Sequence, residues 1–106
     1  MIFQLGGSIL ELCVLSIVAK EDTYGYKITQ EVKEVLEVSE STLYPVLRRL
    51  TKDGYLSTYD CPYDGRNRRY YRITKTGVQH LEMYKKEWKQ FNHKINSILE
   101  GCEQHD

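Results

Sequence analysis

Residues Ser39 to Tyr55, SESTLYPVLRRLTKDGY, read as one amphipathic helix with a start, a stop and two unlike faces. Leu43, Val46, Leu47 and Leu50 recur at steps of three and four, which gathers them into a stripe that must face a core. Ser41, Pro45, Arg48 and Lys52 fall on the far side, flanked by Tyr44 on one edge and by Thr42 and Arg49 on the other. Hydroxyls near the N-terminal end and cations further along suit a helix that reaches base edges and phosphates in a major groove. Ser39 is the predicted N-cap, Val38 and Leu43 form a hydrophobic staple, and Glu40 complements the helix dipole. Asp53-Gly54 supplies the stop, because glycine takes the left-handed conformation that ends a helix. Pro45 has no N–H for the carbonyl of Ser41, so either the helix starts later, near Thr42, or it tolerates a bend.

Upstream, Tyr24 to Leu36 predicts a second helix, capped by Thr23 or Asp22, with Ile28, Val32, Val35 and Leu36 facing inward. Tyr24 and Lys27 lie near its N-terminus, where free N–H groups attract an anion, and are candidates for the DNA backbone. Packing for Tyr24 and solvation for Lys27 are equal alternatives, while Tyr26 reads as core or rim packing. The link from Leu36 to Glu40 is very short, as in a helix-turn-helix. Downstream of Gly54 the period changes. Tyr55–Cys61 and Arg68–Thr74 are short, rich in Tyr, Thr and Ile, and separated by Pro62-Tyr63-Asp64-Gly65, which predicts a two-stranded hairpin anchored by Leu56 and Ile73. Arg66, Arg68 and Arg69 near its tip make it a candidate wing that grips phosphates or a narrow minor groove; the plainer alternative is a solvated hairpin whose charges prevent edge-to-edge pairing.

Two flanking helices complete the chain. Ser8 to Ala19 is apolar on nearly every side, interrupted by Glu11, and must be covered twice. Thr74 caps a helix running to about Glu100, in which Leu81, Tyr84, Trp88, Phe91, Ile95, Ile98 and Cys102 form an a/d seam. Such a helix is about 40 Å long and overhangs a small domain, which a symmetric homodimer would resolve; folding back on its own domain is the alternative. Trp88, mid-seam, either packs as core or lines a slot for flat aromatic molecules.

The chain has 106 residues, enough for one domain, and its 15 basic and 15 acidic side chains cancel. Distribution matters more than the sum: Arg66, Arg68, Arg69, Arg72 and Lys75 occur without an intervening acid, whereas Glu31, Glu34, Glu37 and Glu40 cluster elsewhere. Three scattered cysteines frame neither a disulfide scaffold nor a metal site; Cys13 reads as core, with Cys61 and Cys102 as minor candidates for oxidation. The N-terminal apolar run lacks a basic leader and is too short to span a membrane, so a cytoplasmic protein is expected. His80, His93 and His105 have no nucleophile or ligand partners in the sequence and read as surface residues, which argues against an enzyme, a metal or another cofactor.

Three ordered blocks now carry a resemblance. Gly25-Tyr26, then Thr42-Leu43-Tyr44-Pro45 with Leu47, Arg49, Leu50 and Gly54, then Arg69-Tyr70-Tyr71-Arg72 and Thr74 with Gly77, resemble the PadR family of bacterial transcriptional regulators from about Gly6 onward. The resemblance implies a mainly α winged helix-turn-helix over 1–74 and a C-terminal dimerisation helix over 75–106. It also implies a dimeric repressor on an inverted-repeat operator, released by a small aromatic or phenolic effector held near Trp88. A rival reading makes Tyr55, Tyr59, Tyr63, Tyr70 and Tyr71 a protein-binding surface on a winged helix that does not touch DNA.

Overall fold

The computed structural model describes the backbone of residues 7–104 and the side chains of residues 8–101. Gly6 and His105, named above, lie outside these, as does the side chain of Cys102. The order is α1 (Gly7–Lys20), β1 (Thr23–Tyr24), α2 (Gly25–Lys33), α3 (Glu40–Lys52), β2 (Leu56–Tyr63), β3 (Arg66–Ile73) and α4 (Lys75–Gln104). Leu43, Val46, Leu47 and Leu50 of α3 enter the core, where they meet Leu10, Val14, Leu15 and Val18 of α1 and Ile28 and Val32 of α2. Leu56 and Leu81 close it from the wing base and from α4.

α3 starts at Glu40 after Ser39, so Pro45 lies well inside it and the later start is excluded. The Ser41 carbonyl that Pro45 leaves free is on an exposed residue, where water can satisfy it. Ser39 does sit at the N-cap, but its hydroxyl pairs with those of Ser41 (2.8 Å) and Thr42 (3.1 Å) instead of capping the backbone. The stop is a Schellman motif: Tyr55 N–H donates to Leu50 O (2.9 Å), Gly54 N–H to Thr51 O (3.1 Å), and Gly54 has φ +85°.

Helix α2 ends at Lys33, earlier than predicted, so the turn before α3 is longer and Val35 points into solvent instead of the core. Tyr26 is 59 % exposed, not packed, because Ile28, Thr29 and Val32 claim the opposite face. Thr23 does not cap α2. It is buried in β1 with its hydroxyl unpartnered, and Tyr24 holds the N-cap position.

The hairpin pairs Leu56 with Ile73 through to Tyr63 with Arg66, and the two turn residues, Asp64 (φ 51°) and Gly65 (φ 78°), both have positive φ as a type I′ turn demands. Pro62, predicted in the turn, extends the outer strand opposite Asn67. An edge strand tolerates the missing N–H. β1 joins the other side of β3, pairing Thr23 with Tyr71 and Tyr24 with Tyr70, so the order is β1-β3-β2.

Thr74 caps α4: its hydroxyl accepts the Gly77 N–H (2.9 Å) and donates to Gly54 O (2.6 Å), while its own N–H donates to Tyr55 O (3.1 Å). A Cβ on Gly77 would lie 2.1 Å from that same Tyr55 carbonyl oxygen. α4 then leaves the domain. The radius of gyration is 16.5 Å, against about 13 Å for a compact chain of this length, and the long dimension reaches 65 Å. Among the described residues no helix is long and apolar enough to cross a membrane.

Gly77→Ala is expected to cost about 2–3 kcal/mol in urea unfolding, the upper range for an overpacked site, since a backbone carbonyl cannot rotate aside as a side chain can.

Candidate nucleic-acid interface

Ser41, Thr42, Tyr44, Arg48 and Lys52 lie on the exposed side of α3, and Arg48 and Lys52 have no ion pair among the described residues. Across an open cleft of about 610 Å³, Arg48, Thr51 and Lys52 face Thr58, Arg69 and Tyr71 of the hairpin. Burial pushes the Tyr71 phenol up, and the charges of Arg69 and Arg48 oppose that rise. The recognition helix and one face of the wing therefore share a cationic cleft. Gly25 makes this possible: Tyr44 Cε1 would be 3.2 Å and Tyr71 Cε1 3.8 Å from a Cβ there, so the α2 N-terminus fits beneath both rings.

The wing arginines do not act as one group. Side chains alternate along a strand, so Arg69 faces the cleft while Arg66, Arg68 and Arg72 belong to the other face. On that face Arg68 lies between two phenols, its Cζ 3.9 Å from the Tyr24 ring centre and 3.4 Å from that of Tyr63. Asp22 accepts from Tyr59 (2.7 Å) and Arg72 (3.1 Å). Tyr24 thus serves the wing, packing edge-on against Tyr70 at 5.7 Å. Lys27 is exposed and 3.8 Å from Glu21, and Arg69 is 3.9 Å from Asp60, both loose surface pairs that a phosphate can displace. Tyr55 and Tyr71 pack partly against the core, and Tyr71 also lines the cleft.

Arg49 is engaged elsewhere. Its Nε and Nη2 both donate to Glu11 Oε2 of α1, at 3.0 and 2.7 Å. The other oxygen of Glu11 accepts the Tyr84 hydroxyl (2.5 Å), with His80 Nε2 3.8 Å away. His80 is not a surface residue: it stacks on Tyr55 at 4.0 Å and tilts against Tyr84 at 4.3 Å. Burial alone would push the Glu11 carboxyl up, but the hydrogen bonds from Tyr84 and Arg49 and the charges of Arg49 and His80 outweigh it and hold it below 4.5. Burial and the bond to Glu11 push the Tyr84 phenol up to about 12. Sequence reading passed over this hub, yet it held the signal: a carboxylate in an apolar helix is costly unless paired.

The α4 seam divides. Leu81, 2 % exposed, and Tyr84 pack within their own domain, whereas Trp88, Phe91, Ile95, Ile98 and Leu99 are 38–64 % exposed. Trp88 and Phe91, ring centres 6.1 Å apart, line a mostly apolar groove of about 150 Å³ with Ser8, Ile9 and Leu12 of α1 and Tyr84 and Glu87.

Comparison with known proteins is decisive for the family. Residues 14–83 match the model of the transcriptional regulator PadR-like family. The chain belongs to this PadR-like family. It is thus a transcriptional regulator with a DNA-binding winged helix-turn-helix, not an enzyme. The structure of smu.1704 from Streptococcus mutans is 43% identical over the whole of both chains, with a TM-score of 0.88. Transcriptional regulator Rv3488 of Mycobacterium tuberculosis is 41% identical over 69 residues, 64% of each chain. Bacillus subtilis PadR, solved in complex with operator DNA, is 25% identical with a TM-score of 0.65, covering 72% of this PadR-like chain and 46% of that one.

The depressed Glu11 pKa has a definite sign. Its contribution to stability is complete above about pH 4.5 and is lost as pH falls through the folded value. Glu11→Gln should therefore flatten the acid limb of stability below pH 4.5 in urea titrations at stepped pH.

Proposed function

We propose that this PadR-like regulator acts as a homodimeric repressor, with two α3 helices entering successive major grooves about 34 Å apart on an inverted repeat. The observation that carries the DNA reading is the shared cleft, in which Arg48 and Lys52 of α3 and Arg69 of the wing face one another. Ser41, Thr42, Tyr44 and Arg48 read bases or nearby phosphates, Lys52 and Arg69 take phosphates, and Arg66 reaches the flanking backbone from the wing tip. Lys27, beside the α2 N-terminus, contributes a further backbone contact. The operator complex of Bacillus subtilis PadR supports duplex DNA as the partner.

Pairing of α4 from Trp88 onward, against α4 and the half-buried side of α1 in a second copy, would cover the exposed seam. Closing the partner over the Trp88 groove makes a slot for a planar aromatic or phenolic effector. Its occupation changes the angle between the α4 helices and hence the spacing of the recognition helices, which lowers operator affinity.

The DNA reading is tested on a duplex selected from random sequence by the purified protein. Replacing Arg48, Lys52 and Arg69 together by Ala should flatten the slope of log K against log salt by about 0.9 for each phosphate that a protomer no longer neutralises. An unchanged slope rejects the cleft as the interface.

Dimer and groove share a second test. Ile95→Glu should sediment as the 12.5 kDa monomer and lose operator affinity, and a planar aromatic dye should quench Trp88 fluorescence in the parent but not in this variant. A monomeric parent, or equal quenching in both proteins, rejects the paired groove.

A further inference from the structure

We propose that Glu11 is a positioning residue that sets the strength of sequence-independent DNA binding through Arg49: it holds that guanidinium against the protein and keeps one cation of the recognition helix away from DNA phosphates. The inference rests on the reading that α3 and the wing bind duplex DNA, and it concerns a residue of α1 that lies behind that surface.

Three observations carry it. Arg49 follows Arg48 on α3, borders the same cleft as Lys52 and Arg69, and its side chain is 45% exposed, so it stands at the edge of the proposed DNA surface. In place of a phosphate contact, two of its nitrogens converge on one carboxylate oxygen at 3.0 and 2.7 Å, charge-assisted bonds that hold the guanidinium to α1. Glu11 in turn cannot follow the arginine outward. Its side chain is 13% exposed, and its other oxygen is tied to Tyr84 with His80 alongside, both on α4.

The competition is between two anions for one cation. A phosphate on a duplex is hydrated and screened by counterions, whereas releasing Arg49 would leave a largely buried carboxylate short of its main counter-charge. Glu11 therefore keeps the arginine. The consequence falls on sequence-independent binding, which phosphate neutralisation supplies almost entirely. A cation withheld from the phosphates weakens attraction to every sequence equally, while the base contacts of Ser41, Thr42, Tyr44 and Arg48 are untouched. Affinity for any duplex is therefore set lower, and made less salt-sensitive, than the cations carried by α3 would give.

The test needs no knowledge of the operator. A random-sequence duplex is titrated with the wild-type protein, Glu11→Gln, Arg49→Gln and the double variant across a range of salt. Glu11→Gln should bind this duplex several-fold more tightly at about 50 mM salt and steepen the salt slope by about 0.9 per protomer bound. Arg49→Gln should match the wild type in slope, and the double variant should match Arg49→Gln. A general loosening of the fold would alter affinity without adding a counterion, so the slope separates the two causes. An unchanged slope in Glu11→Gln overturns the proposal, as does a slope flattened by about 0.9 in Arg49→Gln alone. Should Glu11→Gln fail to fold, Arg49→Gln still decides, supporting the proposal with an unchanged slope and refuting it with a flattened one. A wild-type protein with no salt-dependent affinity for any duplex removes the DNA reading itself, and this inference with it.

Discussion

The carbonyl of Tyr55 holds the molecule's two halves in register. It receives the Thr74 N–H at 3.1 Å, and the first turn of α4 is pressed so closely against it that residue 77 has room only for hydrogen. Tyr55 is also the residue whose N–H ends α3, by donating to Leu50 O. One residue thus stops the recognition helix and seats the long one. The orientation of α4 relative to α3 follows from backbone geometry, which is harder to deform than side-chain packing.

A second connection between the same helices runs through side chains. Glu11 binds Arg49 of α3 on one oxygen and Tyr84 of α4 on the other, so α1 serves as a polar strut inside an otherwise apolar layer. The strut ends beside the Trp88 groove, because the ring of Tyr84 forms part of that groove's wall. The groove and the recognition helix are therefore separated by two hydrogen-bonded steps.

The sequence was most informative where a period or a special backbone residue imposed the structure. The apolar stripe of α3, its Gly54 stop and the Thr74 cap could all be read directly, as could the wing, with Leu56 and Ile73 at its base. What escaped had no periodic signature. β1 is two residues long and exists because Thr23 and Tyr24 meet β3, a pairing between residues nearly fifty positions apart. His80 resembled any helical histidine until Tyr55 stacked on it. The apolar stripe of α4 was read as one seam, but sequence spacing could not mark where the domain ends, which is why Leu81 and Tyr84 turn inward while Trp88 does not. The opposite faces of Arg68 and Arg69 were available from the two-residue strand period and were missed by treating the arginines as a cluster.

The tyrosine pair around Arg68 has a geometric outcome of its own. Tyr24 on β1 and Tyr63 on β2 bring ring centres to 3.9 and 3.4 Å from the Arg68 Cζ, from the strands on either side of β3. Two aromatic neighbours already share this cation, so a third ring has less to gain from it than an oxyanion or a base edge, which can use the N–H donors of the guanidinium directly.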